Sequence, residues 1–136
     1  MQREKIIDRQ RVSSGSIFEE LYGHSRAVAV GDTIYVSGTV GFDYENKTIS
    51  EDPAEQTRQT FRNIENALEE VGSSFSDVVR MITYFTDQKD WKAIGEVLRE
   101  QLKDVRPVNA GVRVGLIDPR MKIEISAIAV RKRPAK

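Results

Sequence analysis

A single carboxylate, that of Glu124, lies inside the mostly apolar run KIEISAIAV near the end of the chain. The run predicts a β-strand, Lys122–Val130, in which successive side chains point to opposite sides of the sheet. Glu124 then shares its face with Ile128 and Val130, which an open solvent face would not need, so we expect protein to cover both faces. Burial would raise the pKa of Glu124 and suit it to acid–base chemistry. The alternative is a structural ion pair with a lysine or arginine of a neighbouring strand.

Two further polar residues are candidates for a site. Ser37 precedes Gly38 at a predicted strand end, where its hydroxyl either orients a ligand or satisfies backbone groups. No histidine–acid pairing can be read from the sequence to activate Ser37 as a nucleophile. His24 is the single histidine, and histidine changes its charge near neutral pH. It is either a pocket residue that makes ligand binding pH-dependent or a structural residue.

The composition limits the class of protein. The chain has 136 residues, so we interpret residues 1–136 as one domain. Lys and Arg together number 21, as do Asp and Glu, and this neutral balance argues against nucleic-acid binding. Cysteine is absent, which excludes disulfides and thiol catalysis, and one histidine cannot build a histidine-rich metal site. The charged start MQREKIIDRQ and the lack of a long apolar run predict no signal peptide, no membrane span and a cytoplasmic location.

A hairpin is predicted to position His24 and Ser37. Gly31-Asp32 separates two β-type runs, His24–Val30 and Thr33–Val40, and such a pair is typical of a two-residue turn. Opposed positions then sum to 63, so that Arg26 faces Ser37, Val28 faces Tyr35 and His24 faces Thr39. These residues form a mixed polar and apolar face, which suits a subunit interface with a cleft. The helices are expected on the other side, which carries Ala27, Ala29, Ile34 and Val36.

Two helices and three further strands complete the predicted fold. Asp52 should cap a helix that begins at Pro53, carries an apolar stripe and stops at Gly72. Asp90 should cap a second helix, and the polar stretch Asp43–Asp52 is predicted to be a loop. The remaining strands are Val78–Phe85, Asn109–Val114 and Lys122–Val130. The order predicts an α+β fold, a single mixed β-sheet with two helices on one face.

Several segments, in this order and spacing, resemble the YjgF/RidA family of reactive intermediate deaminases. They are Gly23–Val30, Gly31–Gly38, Gln56–Ala67, Asp77–Phe85 and Arg106–Val130. The resemblance implies a chorismate-mutase-like fold and a homotrimer with clefts between its subunits. It also implies hydrolysis of enamines or imines derived from amino acids, without a metal or an organic cofactor. In that chemistry an arginine holds the substrate carboxylate and a glutamate handles the attacking water.

The site residues of this family transfer to the chain only in part. Glu124 matches the family's glutamate and Ser37 matches its serine. Asn109 stands where the carboxylate-binding arginine is expected, and asparagine lacks both the charge and the two-pronged geometry. His24 replaces a pocket aromatic, and Gly95 corresponds to an asparagine of the second helix.

Two arginines are candidates to replace the missing cation. Arg26 is predicted to face Ser37, and Arg113 shares strand parity with Asn109. For each of them the alternative is an ordinary ion pair or an exposed position at the rim.

The resemblance and its departures predict an imine or enamine deaminase-like hydrolase with altered substrate recognition. Its partner would be a small imine, enamine or keto-acid-like molecule. The alternative is a trimeric module that binds a small metabolite without turnover. Ribonuclease activity, which is sometimes attached to the family, is disfavoured by the neutral charge and the lack of a catalytic histidine pair.

Overall fold

The computed structural model describes residues 8–132, which form one six-stranded sheet, a small two-stranded sheet and three helices. The strands are β1 (Arg9–Val12), β2 (Ala27–Val30), β3 (Thr33–Val40), β4 (Phe42–Asp43), β5 (Thr48–Ile49), β6 (Val78–Phe85), β7 (Val108–Arg113) and β8 (Ile123–Val130). The helices are α1 (Ile17–Tyr22), α2 (Pro53–Glu70) and α3 (Trp91–Leu102).

The main sheet has the order β1-β2-β3-β8-β6-β7. β6 and β7 are parallel, whereas the other neighbours are antiparallel, so the predicted mixed sheet is confirmed. The two-stranded sheet pairs β4 with β5 inside the stretch that the sequence predicted to be a loop. β1 and α1 were also not predicted.

The two long helices pack on one face of the main sheet, as predicted. Alternate residues of β8 on that face are at most 4% exposed. They form one hydrophobic core with the apolar side chains of α2 and α3. The fully buried members of this core are Ile34, Ile64, Leu68, Ile94, Ile123, Ile125 and Ala129. Between residues 8 and 132, no helix is both long and apolar enough to cross a membrane.

The predicted helix cap is confirmed for α2, whereas for α3 Asp90 is at the predicted N-cap position but its side chain makes no cap bond. The Asp52 carboxylate accepts a hydrogen bond from the Glu55 backbone N–H at 2.9 Å, and α2 ends before Gly72, whose φ is +71°. At α3, Asp90 makes no side-chain cap bond, because a 3₁₀ turn has already made the chain helical there. Asp87 caps that turn and accepts from the Lys89 backbone N–H at 2.9 Å.

The hairpin register is confirmed within β2 and β3, where Val28 lies opposite Tyr35. The Ser37 backbone N–H donates to the Arg26 carbonyl at 2.9 Å, which continues this register one step beyond β2. The register of β3 against β8 then shifts between Val36 and Thr39. β2 begins only at Ala27, so the predicted pairing of His24 with Thr39 is not part of the ladder.

The second face of the sheet is partly exposed. Tyr35 is 51% exposed, Val130 is 41% exposed and Ile128 is half-buried. On the edge strand β7, Val108 is 68% exposed and lies on the same face, level with Arg80 and Ile128. These four residues form a partly exposed apolar surface.

Candidate functional site

Four of the six predicted site residues line one cavity of about 240 Å³, namely His24, Arg26, Ser37 and Glu124. β8 supplies Glu124, β3 supplies Ser37, and the segment before β2 supplies His24 and Arg26. The remaining wall is mainly apolar and aromatic, with the side chains of Phe18, Tyr22, Val40, Tyr44, Ile117 and Met121. The cavity therefore combines a few polar groups with apolar walls, as small-molecule sites commonly do.

Glu124 lies against the backbone of Gly38 on the neighbouring strand. A Cβ atom built on Gly38 would lie 2.8 Å from both Cδ and Oε2 of Glu124, so any side chain at position 38 would displace the carboxylate. Gly38 is also where the β3–β8 register shifts, which brings the two strands into this close approach. Glycine is the residue that such an approach needs.

The Glu124 carboxylate forms no hydrogen bond or ion pair with another residue in the described range 8–132. Burial raises its pKa, and the nearby charge of Arg26 offsets part of that effect. The structural ion pair that was the alternative for Glu124 is therefore not formed among residues 8–132. Its oxygens remain able to bind a ligand or a water molecule.

Arg26 is held by protein groups on several sides. Its Nε lies 3.4 Å from Oε2 of Glu19 in an ion pair whose two side chains are 4% and 6% exposed. Its Nη1 donates to the Gly38 carbonyl at 2.7 Å and to Oγ1 of Thr39 at 3.0 Å. The ion-pair alternative for Arg26 thus describes the observed arrangement, although the side chain also lines the cavity.

Glu19 is the carboxylate that neutralises Arg26. It accepts from the Ser14 backbone N–H at 3.2 Å and from the Ser14 hydroxyl. Burial acts to raise the pKa of Glu19, but the hydrogen bonds from Ser14 and the charge of Arg26 hold it below its usual range. Glu19 does not line the Glu124 cavity but lines a neighbouring one.

Ser37 and His24 differ in how firmly they are held. The Ser37 hydroxyl donates to the Ser25 carbonyl at 2.6 Å, so its proton satisfies a backbone group and its oxygen can only accept from a ligand. His24 is exposed at the mouth of the cavity, next to α1. Among residues 8–132, neither side chain is paired with an acid that would make it a nucleophile or a base.

Asn109 and Arg113 do not line this cavity. They lie on the edge strand β7, and β6 separates that strand from β8. Asn109 is level with Met81, on the helix side of the sheet, and its Oδ1 accepts from the Thr83 hydroxyl at 3.1 Å. Arg113 is exposed at the end of β7.

A larger cavity of about 740 Å³ lies on the other side of Arg26, between the N-terminal segment, β4 and α2. One wall is fixed by Asn63, whose amide donates to the carbonyls of Val40 and Phe42 at 2.9 and 2.8 Å. Arg26 is the only predicted site residue among those that line this cavity. We therefore place the candidate site in the smaller cavity, where the free carboxylate lies.

Sequence reasoning missed α1 and the residues that it adds to the site. A signal was present, because Ser16 and Glu19 have the spacing of a helix capping box. The Ser16 hydroxyl does cap α1 by accepting from the Phe18 backbone N–H at 3.2 Å. The Glu19 carboxylate departs from the capping-box pattern and bonds to Ser14 and Arg26.

The fold and cavity define a class of small α+β proteins, with two helices on one face of a mixed sheet and a carboxylate-containing cavity on the other. A sequence model of the endoribonuclease L-PSP family matches residues 17–131. A RutC family protein of Pyrococcus abyssi is 34% identical over 110 residues, which are 80% of this chain and 87% of that relative. The chain therefore belongs to the endoribonuclease L-PSP family, which the sequence resemblance named as YjgF/RidA.

Two solved structures show the same fold. The crystal structure of Rv2704 from Mycobacterium tuberculosis, a member of the YjgF/YER057c/UK114 family, has a TM-score of 0.83 and 42% identity, covering 91% of this chain and 100% of that one. The crystal structure of E. coli TdcF with bound serine has a TM-score of 0.78 and 28% identity, covering 95% of this chain and 100% of that one.

Proposed function

We propose that this protein is a small-molecule hydrolase that converts reactive imines or enamines and water into carbonyl compounds and ammonia. The observation that carries the proposal is the Glu124 carboxylate, which lies in the cavity without a partner among residues 8–132 and has a raised pKa. A perturbed carboxylate in a cleft with few other polar groups is a candidate for general acid–base catalysis. The raised pKa suits a group that must both accept and return a proton.

The proposed reaction needs only water and proton transfer. An enamine first becomes its imine tautomer, as its β-carbon gains a proton and its nitrogen loses one. Water adds to the imine carbon while Glu124 accepts a proton from the water and passes it to the imine nitrogen. The resulting carbinolamine then transfers its hydroxyl proton through Glu124 to the amine. The C–N bond breaks, a C=O bond forms and ammonia leaves. Glu124 ends in its starting state and no atom is oxidised or reduced.

The assembly that we propose is a homotrimer with clefts between the subunits. Two features support it: the partly exposed apolar surface, with Tyr35 and Val130, and the exposed edge strand β7. Association through this surface would cover it and could place Asn109 or Arg113 of one subunit beside the Glu124 cavity of another. Their role in substrate binding depends on this association, and we retain the prediction of a cytoplasmic location.

A binding module without turnover is the second candidate, and Asn109 favours it. Asparagine at this position removes the charge expected for holding a substrate carboxylate. The serine-bound structure of TdcF shows that a related protein binds a small molecule. A ligand held without turnover would need the cavity but not the acid–base function of Glu124.

One variant distinguishes the two functions. 2-Aminoacrylate, an enamine that tautomerises to its imine, and related imines should be generated in situ, and ammonia release should be followed with wild type, with Glu124→Gln and with Glu96→Gln, an exposed control on α3. We expect Glu124→Gln to lower the rate by about 10²–10⁴-fold, the usual contribution of a general acid–base group. Glu96→Gln should leave it unchanged. If wild type does not exceed buffer with any imine, the hydrolase proposal is wrong and the binding module is favoured.

A further inference from the structure

We propose that Glu19 sets the substrate charge preference of the cavity by neutralising Arg26, so that the protein prefers imines that carry an apolar group and no carboxylate. This inference rests on the proposed function, because it names the class of imine that the Glu124 site accepts. Glu19 would act through Arg26 without touching the substrate, as a residue that determines specificity.

The charges around the cavity support this preference. Among its lining residues in the described part of the chain, Arg26 alone has a permanent positive charge. That charge is balanced at 3.4 Å by Glu19, and Nη1 of Arg26 is occupied by Gly38 and Thr39. A substrate carboxylate would meet a neutralised arginine and, when Glu124 is ionised, a like charge. Like charges in a partly buried site repel, so a neutral substrate is favoured.

The position of Glu19 does not depend on a ligand. Ser14 donates two hydrogen bonds to it, from its backbone N–H and its hydroxyl, and these bonds hold the carboxylate beside Arg26, where it does not line the cavity. The neutral Glu19–Arg26 pair is therefore already formed when a substrate arrives. A substrate carboxylate would have to compete with a fixed, buried carboxylate for the same guanidinium.

The cavity walls favour an apolar substituent. Phe18 and Tyr22 from α1, together with Ile117 and Met121, line this cavity of about 240 Å³. This volume is slightly below the range of about 300–1,000 Å³ that is typical of sites for drug-sized ligands, so the substrate should be small. A short alkyl or a single aryl group fits this description.

A matched pair of substrates tests the inference. Phenethylamine and phenylalanine differ by one carboxylate, and an amine oxidase and an amino-acid oxidase convert them in situ to the corresponding imines. Hydrolysis is measured by competition with an added nucleophile that traps the remaining imine. Wild type should hydrolyse the carboxylate-free imine with the higher kcat/KM.

Glu19→Gln is the decisive variant. It removes the charge but keeps the shape and most hydrogen-bonding capacity of the side chain, so Arg26 becomes an uncompensated cation. The kcat/KM ratio should shift by about five- to thirtyfold toward the imino acid, the difference between a charge-assisted and a neutral hydrogen bond. The double variant Glu19→Gln with Arg26→Gln should restore the wild-type preference. Glu20→Gln, the same charge change at the exposed neighbouring position, should leave the ratio unchanged.

Each result has a clear meaning. This inference is wrong, but the hydrolase proposal stands, if wild type prefers the imino acid. The same holds if a folded Glu19→Gln variant keeps the wild-type kcat/KM ratio. No acceleration of either imine overturns both. If Glu19→Gln does not fold, the wild-type ratio decides alone, with preference for the carboxylate-free imine in support and the reverse preference against.

Discussion

Glu19 and Glu124 are two partly or fully buried carboxylates near Arg26, and their surroundings give them different properties. Glu19 has an ion pair and two hydrogen bonds from Ser14, and its pKa is lowered. Glu124 has no hydrogen bond or ion pair within residues 8–132, and its pKa is raised. The comparison shows that one arginine can stabilise a structural carboxylate and leave a second carboxylate available for chemistry.

The comparison also explains why Arg26 is a poor replacement for the missing substrate-binding arginine. A guanidinium serves a substrate carboxylate best when two of its N–H groups are free in a forked geometry. Here Nε faces Glu19 and Nη1 donates to Gly38 and Thr39. Arg26 therefore organises the cavity wall and balances charge in addition to lining the cavity.

The largest effect that we expect is the loss of stability in Glu19→Ala, which removes the structural carboxylate. The variant leaves the buried Arg26 charge unpaired, which should lower the free energy of unfolding by about 3 kcal/mol. This is the low end of the range for broken buried ion pairs, since cavities on both sides of Arg26 allow some solvation. Urea denaturation measures the change. Glu20→Ala, at the exposed neighbouring position, should change it by less than about 0.5 kcal/mol.

The pH dependence of this stability difference follows from the lowered pKa of Glu19. Because the folded pKa lies below the unfolded one, the stabilisation is fully present above the unfolded pKa and is lost as pH falls through the folded pKa. The gap between wild type and Glu19→Ala should therefore close on acidification. A gap that widens at low pH would contradict the ion-pair account.

A smaller effect is expected for Gly38→Ala, which tests whether the position of the Glu124 carboxylate matters for activity. The new methyl group would occupy the position of the Glu124 carboxylate and displace it. The rate of imine hydrolysis should fall by about ten- to a hundredfold, as expected for misplacement by about 1 Å. Stability should change little, since the carboxylate is the movable end of a side chain. Gly115→Ala, where a Cβ atom meets no atom within 4 Å, is the matched control and should keep full activity.

The parts of the fold with strong local signals could be predicted from the sequence. Asp52, Pro53 and Gly72 marked both ends of α2, and Gly31-Asp32 gave the hairpin register. α1 could not be predicted from periodicity, because it has six residues and its apolar side chains Ile17 and Leu21 are exposed. Short helices of this kind are stabilised by tertiary contacts more than by local propensity.

The sequence predicted four residues of the candidate cavity, Glu124, Ser37, Arg26 and His24, but not the contacts that Gly38 and Glu19 make with them. The alternation of side chains along a strand does not predict the shift in the β3–β8 register near Gly38. The sequence therefore could not reveal how closely Gly38 approaches the Glu124 carboxylate. The pairing of Arg26 with Glu19 joins two segments through a turn of irregular backbone. Such contacts depend on the three-dimensional fold, whereas the sequence pattern gives only the face of the strand on which Glu124 lies.

A pH titration of the two carboxyl carbons by NMR, with Glu19→Gln and Glu124→Gln used to assign the signals, directly tests whether Glu19 is the structural carboxylate and Glu124 the available one. We expect the pKa of Glu19 below the usual value of about 4.3 for glutamate and the pKa of Glu124 above it. Equal pKa values, or the reverse order, would show that the two carboxylates do not have these different roles.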